Sequence, residues 1–396
     1  MTHVRNRTPA AARFALLLAA VVVLGGCTTV KGWFTSKAKK QAQPAELVEF
    51  TPTAKVQRAW SVEIGKGEGR IGARQAPAIL DGRVYAAALE GGIGAWDLQS
   101  GKSVWRTESE LRLSSSPGVG DGIVAVGGLE GDVVAFDAAT GAQKWTAKVG
   151  TEILAAPAVG QGFVLVRSVD GRVTAFDAAS GERRWFWEKE TPALTVRGNA
   201  SPLLGPGLAF IASDDGTMSA VALTTGRLLW EQPIALGEGR TEFDRMADVD
   251  GTPVLDEVVL FATSYKGQTM AIDGPTGNPM WVHDVGGAGK VGVSADRVVV
   301  ADPRGTVWGL GKFDGSALWQ QPGLSLRRLT GVAIHGDYAV VGDFEGYLHW
   351  LKLSDGAFAA RAEAADEAFV AAPVVADGIL VAQASDGTMS AWRLSP

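Results

Sequence analysis

Four histidines and one cysteine are the chain's whole stock of imidazole and thiol groups, so its candidate chemistry can be taken residue by residue. His283, His335 and His349 fall singly within or beside apolar alternating stretches, where an imidazole is more often a hydrogen-bonded core residue than an acid–base group. No Cys-x-x-Cys-His run is present to attach a haem. GEGRIG (67–72) and GAGKVG (287–292) both satisfy Gly-x-Gly-x-x-Gly, but neither opens a helix, so no helix N-terminus is there to receive a pyrophosphate. SGKS (100–103) resembles the end of a phosphate loop, yet Trp96 stands where the earlier glycine is required. DRMADVDG (244–251) has nearly the acid spacing of a calcium loop, with Met246 at a ligand position. Asn199-Ala200-Ser201 is a glycan acceptor only in a eukaryotic secretory setting. The expectation is a chain without cofactor, metal or catalytic residue.

Cys27 is the exception. Arg5, Arg7 and Arg13 precede an apolar run from Phe14 to Leu24, too short to span a bilayer and shaped like a signal peptide. That run enters Leu-Gly-Gly-Cys, which resembles the bacterial lipobox. Residues 1–26 therefore read as a signal peptide and Cys27 as the lipidation site, its acyl chains holding the protein on a membrane. Thr28, not Asp, follows the cysteine, and resemblance to sorted lipoproteins places the anchor on the periplasmic face of the outer membrane. Residues 27–54 mix Lys, Ser, Gln and Pro and read as a flexible tether. Removing residues 1–26 takes three arginines and no acid, moving the formal net charge from −6 to about −9. That balance argues against nucleic acid as a partner.

The remaining chain, 55–396, says one thing repeatedly. WDLQSGKSVW (96–105), FDAATGAQKW (136–145) and FDAASGERRW (176–185) are successive copies. In the fullest copy, 156–185, four alternating stretches are separated by Gly/Asp turns, the pattern of a four-stranded antiparallel meander. Glycine, 51 of 396 residues, suits that many tight turns. The motif Gly recurs as Gly101, Gly141, Gly181, Gly226, Gly277, Gly315 and Gly356. Four residues later stand Trp105, Trp145, Trp185, Trp230, Trp281 and Trp319, then Ala360 in a degenerate seventh copy. The eighth copy ends after its third strand, while Val56–Gly65 supplies a stray fourth strand carrying Trp60. The reading is all-β: an eight-bladed β-propeller of four-stranded antiparallel blades, its ring closed by an N-terminal strand that completes the last blade. Each tryptophan is then a wedge between blades, not an aromatic ligand cage.

The spacing Asp-x-x-Thr/Ser-Gly-x-x-x-Trp resembles the blade motif of propellers related to pyrroloquinoline-quinone dehydrogenases. A lipobox followed by eight such blades, with the segments Arg240–Val254 and Glu345–Gly356, resembles the BamB family of the outer-membrane β-barrel assembly machinery. Function should sit where the repeat is interrupted. From Trp to the next blade's Pro the spacing is 12 residues for Trp105–Pro117 and Trp145–Pro157, 17 for Trp185–Pro202 and 23 for Trp230–Pro253. The two long excursions join adjacent blades and so should lie side by side, bringing apolar anchors next to charged groups as protein-docking patches do. The resemblance implies that Leu194, Val196, Arg197, Asp248 and Asp250 hold the periplasmic repeats of the barrel-assembly outer-membrane protein and its complex, with unfolded outer-membrane proteins as further partners. Val196 stands where the family often has Leu. A quinone-dependent dehydrogenase would need a vicinal cysteine pair or equivalent clamp, and no second cysteine is present. A cell-wall or polysaccharide-binding lipoprotein would place aromatics on loop tips, whereas most tryptophans here belong to the blade motif.

Overall fold

The computed structural model describes residues 43–67, 72–190, 192, 200–235, 249, 251–265, 267–287 and 289–395. Its strands form eight four-stranded antiparallel sheets in a ring, an eight-bladed β-propeller as the repeat implies, with no helix among the described residues. Blade 1 sets the pattern: a short inner strand Ala78–Leu80, then Arg83–Ala88, Gly92–Asp97 and an outermost strand Ser103–Thr107. The second and third strands are apolar and almost wholly buried, because each is covered by blades on both faces. The outermost strands are exposed except at one position, which the tryptophan fills. Sequence chemistry sets the turns: Asp81 and Gly82 both take positive φ, 50° and 70°, the paired left-handed geometry of the commonest two-residue hairpin turn.

The ring is closed by the two ends of the repeat region. Lys55–Glu63 pairs antiparallel with Thr388–Ser395, from Lys55 opposite Ser395 to Glu63 opposite Thr388. It is the outermost member of blade 8, whose other strands are Val374–Ala376, Ile379–Gln383 and Thr388–Ser395. Ahead of it, Phe50 stacks on Phe358 of blade 7 with ring centroids 5.4 Å apart, and Arg361 donates to the Val48 carbonyl at 3.1 Å.

The repeated phrase is a two-part joint. The Asp137 carboxylate accepts from the backbone N–H and the hydroxyl of Thr140, folding the turn and holding its own pKa below the usual carboxylate range. In the equivalent turn of blade 3, hydrogen bonds from Arg184 and Ser180 draw Asp177 down to about 2. The turn presents Gly141 at φ 74°, and the indole of Trp105 from the preceding blade lies against it. That indole's Nε1 donates to the Ala138 carbonyl at 3.0 Å. The same donation runs from Trp145 to Ala178, Trp185 to Leu223, Trp230 to Gly274, Trp281 to Lys312 and Trp319 to Leu353. Across the closure, Trp60 donates to Leu98 of blade 1 at 2.9 Å. Beside each of these tryptophans the outer strand shifts register by one residue, a bulge that re-aims the side chain.

Blade 7, where Ala360 replaces the tryptophan, solves the same problem from inside. Trp350 and Trp392, in the third strands of blades 7 and 8, pack with ring centroids 6.0 Å apart and fill the gap with Ala360 and Phe369. Trp350 is fully buried, and its Nε1 donates to His335 Nδ1 at 3.2 Å.

Candidate functional site

Leu194, Val196, Arg197, Asp248 and Asp250 lie outside the described residues, as does Cys27. The structure does describe the feet of the two excursions that carry the five docking candidates. The first leaves blade 3 after its outermost strand Arg183–Trp187 and returns at Ala200; the second leaves blade 4 after Leu228–Pro233 and touches down at Val249. Ala200, Ile234 and Val249 are buried in one apolar cluster with Phe210, Met218 and Leu260. The Ser201 backbone N–H donates to Thr252 Oγ1 at 3.3 Å, so the two returning feet are adjacent.

Polar groups seat these feet. Arg167 of blade 3 donates to the Ala200 carbonyl at 3.3 Å and to Asp214 of blade 4 at 2.5 Å. Both side chains of this ion pair are only 3% exposed. The neighbouring Ser213 carbonyl accepts from the Val249 N–H at 3.4 Å, so one turn of blade 4 touches both excursions. On the departing side, Lys189 bridges Asp215 and Glu231, each at 2.7 Å. Burial opposes its charge, but the hydrogen bonds it donates to the two carboxylates outweigh that and raise the pKa. Two mainly apolar feet fixed by a buried ion pair form a rigid base, the kind of support a loop-borne binding site needs.

Sequence reasoning treated the histidines singly and missed the network around two of them. Asp343 accepts from His349 Nε2 at 2.8 Å and from Arg327 Nε at 2.7 Å, while Arg361 Nε donates to His349 Nδ1 at 3.3 Å. His349 is therefore the neutral tautomer protonated on Nε2. Burial lowers its pKa, Asp343 opposes that, and Arg361 and Arg327 reinforce it. His349 and Asp343 have 0% side-chain exposure, so this His–Asp pair has no face for a substrate. His335 donates from Nε2 to the Gly378 carbonyl at 3.0 Å, joining blades 7 and 8. Among the described residues no three His, Cys, Asp or Glu groups converge as metal ligands. Neither Gly-x-Gly-x-x-Gly stretch precedes a helix: Gly292 already belongs to the inner strand of blade 6, Gly292–Val293, and Gly67 and Gly72 flank residues outside the described set.

A family model described as outer membrane protein assembly factor BamB matches residues 89–321 and 310–395. The chain belongs to the BamB family. The outer membrane protein assembly factor BamB of Xanthomonas campestris pv. campestris is 57% identical over 97% of this chain and 98% of its own length. That of Escherichia coli K12 is 34% identical over 94% and 96%. The crystal structure of BamB from Moraxella catarrhalis superposes with a TM-score of 0.79 at 28% identity, covering 86% of this chain and 100% of that one. A quinohemoprotein alcohol dehydrogenase from Pseudomonas putida, at a TM-score of 0.69 and 15% identity, shares the fold alone.

Proposed function

We propose that this chain is a non-enzymatic scaffold in the assembly of outer-membrane β-barrel proteins, docking on the periplasmic repeats of the barrel-assembly protein. Its membership of the assembly-factor family over nearly its whole length carries the reading. Leu194, Val196 and Arg197 on one excursion and Asp248 and Asp250 on the next are the contact residues. The adjacent, buried feet at Ala200 and Val249 support a single composite patch. Cys27 carries the acyl anchor, which keeps the propeller at the periplasmic face of the outer membrane, with residues 1–26 removed as a signal peptide. Unfolded barrel precursors are handed on by the complex rather than by chemistry in this chain. The full burial of the His349–Asp343 pair supports a role without catalysis.

The test is binding of the chain from Thr28 onward to the purified periplasmic repeats, beside Arg197→Glu and Asp248→Arg variants whose fold is checked by circular dichroism. Micromolar or tighter binding, lost in both variants, is expected. Binding that survives both moves the site off the excursions; absence of binding overturns the scaffold reading.

A further inference from the structure

Residues 48–54, just ahead of the closing strand, are seated on blade 7. The Thr53 and Ala54 N–H groups both donate to the Ala359 carbonyl, at 2.9 and 3.1 Å, on the outermost strand Phe358–Glu363. Phe50 stacks on Phe358. The Arg361 guanidinium lies over both rings, 5.1 Å from the Phe50 centroid and 5.5 Å from that of Phe358. Its Nη1 holds the Val48 carbonyl at 3.1 Å. Upstream of Thr53, each of these ties runs through Arg361 or the aromatic pair it covers.

Arg361 is itself held from inside by a histidine. Its Nε donates to His349 Nδ1 at 3.3 Å, and Nδ1 accepts only while it carries no proton. The groups facing His349 come from every neighbouring element. Asp343, from the turn after Tyr338–Gly342, accepts the Nε2 proton at 2.8 Å. Arg327, from the connection into blade 7, donates to Asp343 and pairs with Glu345. Tyr347, on the histidine's own strand Tyr347–Lys352, has its ring 6.3 Å away. Two arginines and two carboxylates thus surround a neutral imidazole. A second proton adds a third positive charge at a position with no water access and sets an Nδ1–H against the Arg361 N–H. Asp343 and Arg327 are buried, so Arg361 is the member with a way out. It is only half-buried, and its Nη2 is enclosed without an acceptor among the described residues.

The geometry points to a proton-operated latch: residues 48–52 are clipped to blade 7 while His349 is neutral and are let go when its Nδ1 takes a proton. Arg361 swings outward, while Thr53 and Ala54 stay on Ala359 and the closing strand remains paired. Release frees roughly 16–18 Å of chain. Where Cys27 carries the anchor, as proposed above, that length adds to the propeller's reach from its membrane. The latch itself needs only blade 7 and the segment it holds, so it stands or falls separately from the anchor and the docking patch. Burial lowers the His349 pKa from 6.5, which keeps the latch closed at neutral pH and opens it only below 6.5.

Glu49 is exposed, and the chain from Thr28 onward contains no cysteine. Glu49→Cys therefore takes a single nitroxide label, whose mobility in electron paramagnetic resonance reports the latch. An immobilised spectrum at pH 7 and a mobile one at pH 5 are expected, with near-UV circular dichroism unchanged. Below the midpoint the closed-to-open ratio should fall about tenfold per pH unit. His335→Gln should keep the step and His349→Gln should abolish it, while Arg361→Gln should be mobile at both pH values. A label whose mobility is the same at pH 7 and pH 5 overturns the proposal. So does a step that survives His349→Gln, or one that appears only together with loss of the near-UV signal.

Discussion

Arg167 and Asp214 meet at 2.5 Å between blades 3 and 4, closed off from water, and the same arginine holds the Ala200 carbonyl. Two charges can be buried there because each satisfies the other, and removal of one strands its partner. Arg167→Ala or Asp214→Ala should cost about 3–5 kcal/mol in urea unfolding, whereas Arg167→Met with Asp214→Leu should cost clearly less. Under the scaffold reading all three should also weaken docking, since the foot at Ala200 loses its anchor. Equal stability of the singles and the double would remove the ion pair from the account.

Gly122 and Gly141 separate backbone strain from packing. Both take positive φ, 75° and 74°, so either substitution to alanine carries the left-handed penalty of about 1–2 kcal/mol. A Cβ on Gly122 meets nothing within 4 Å, but on Gly141 it lands 2.5 Å from Trp105 Cε3. Gly141→Ala should therefore be the more damaging, approaching the roughly 3–5 kcal/mol of Trp105→Ala. Chemical denaturation of the three variants checks the order.

Stability should fall on mild acidification. Burial lowers the pKa of both His335 and His349 from 6.5, so the unfolded chain binds protons that the native one refuses. The stabilisation is present above 6.5 and is lost as pH falls below it, by up to about 1.4 kcal/mol per pH unit for each histidine. Asp343 does not blur this window. Burial raises its pKa, but hydrogen bonds from His349 and Arg327 prevail and hold it below 3.8, so its contribution disappears only at lower pH. Urea unfolding at pH 7 and pH 5 should show the loss in the native chain and a flatter response in His335→Gln/His349→Gln.

Deleting residues through Glu63 should leave blade 8 with three strands and Thr388–Ser395 as a bare edge. Self-association and loss of a single cooperative transition are expected, read by sedimentation and by unfolding. A synthetic peptide of residues 55–65 added in trans should restore both in part; an unaffected monomer would show that the closing strand is dispensable.

Much of this architecture is written in local chemistry. A glycine that must take positive φ and a tryptophan four residues later mark every blade that has them, and the unmatched Trp60 marks the closure. What escaped was polar and long-range. Asp214 and Asp343 occupy turns where an aspartate ordinarily faces water, and nothing adjacent in sequence tells that Arg167 and Arg327 come over to bury them. Ala360 marks a degenerate repeat, but its compensation by Trp350 and Trp392 requires knowing that two third strands face one another.

The Ser61 hydroxyl donates to the Met389 carbonyl, 328 residues away in sequence, and a closure over that distance sets an order of events. Blades 1 to 7 can each form from neighbouring hairpins, since their contacts are short in sequence. Blade 8 cannot be completed until the two ends of the repeat region have met. The first strand therefore waits through most of folding with its edge unmatched, and the protein spends that interval as an open arc with two complementary ends. Two such arcs at high concentration can close on each other instead of on themselves, so dilution during refolding should favour the monomeric ring.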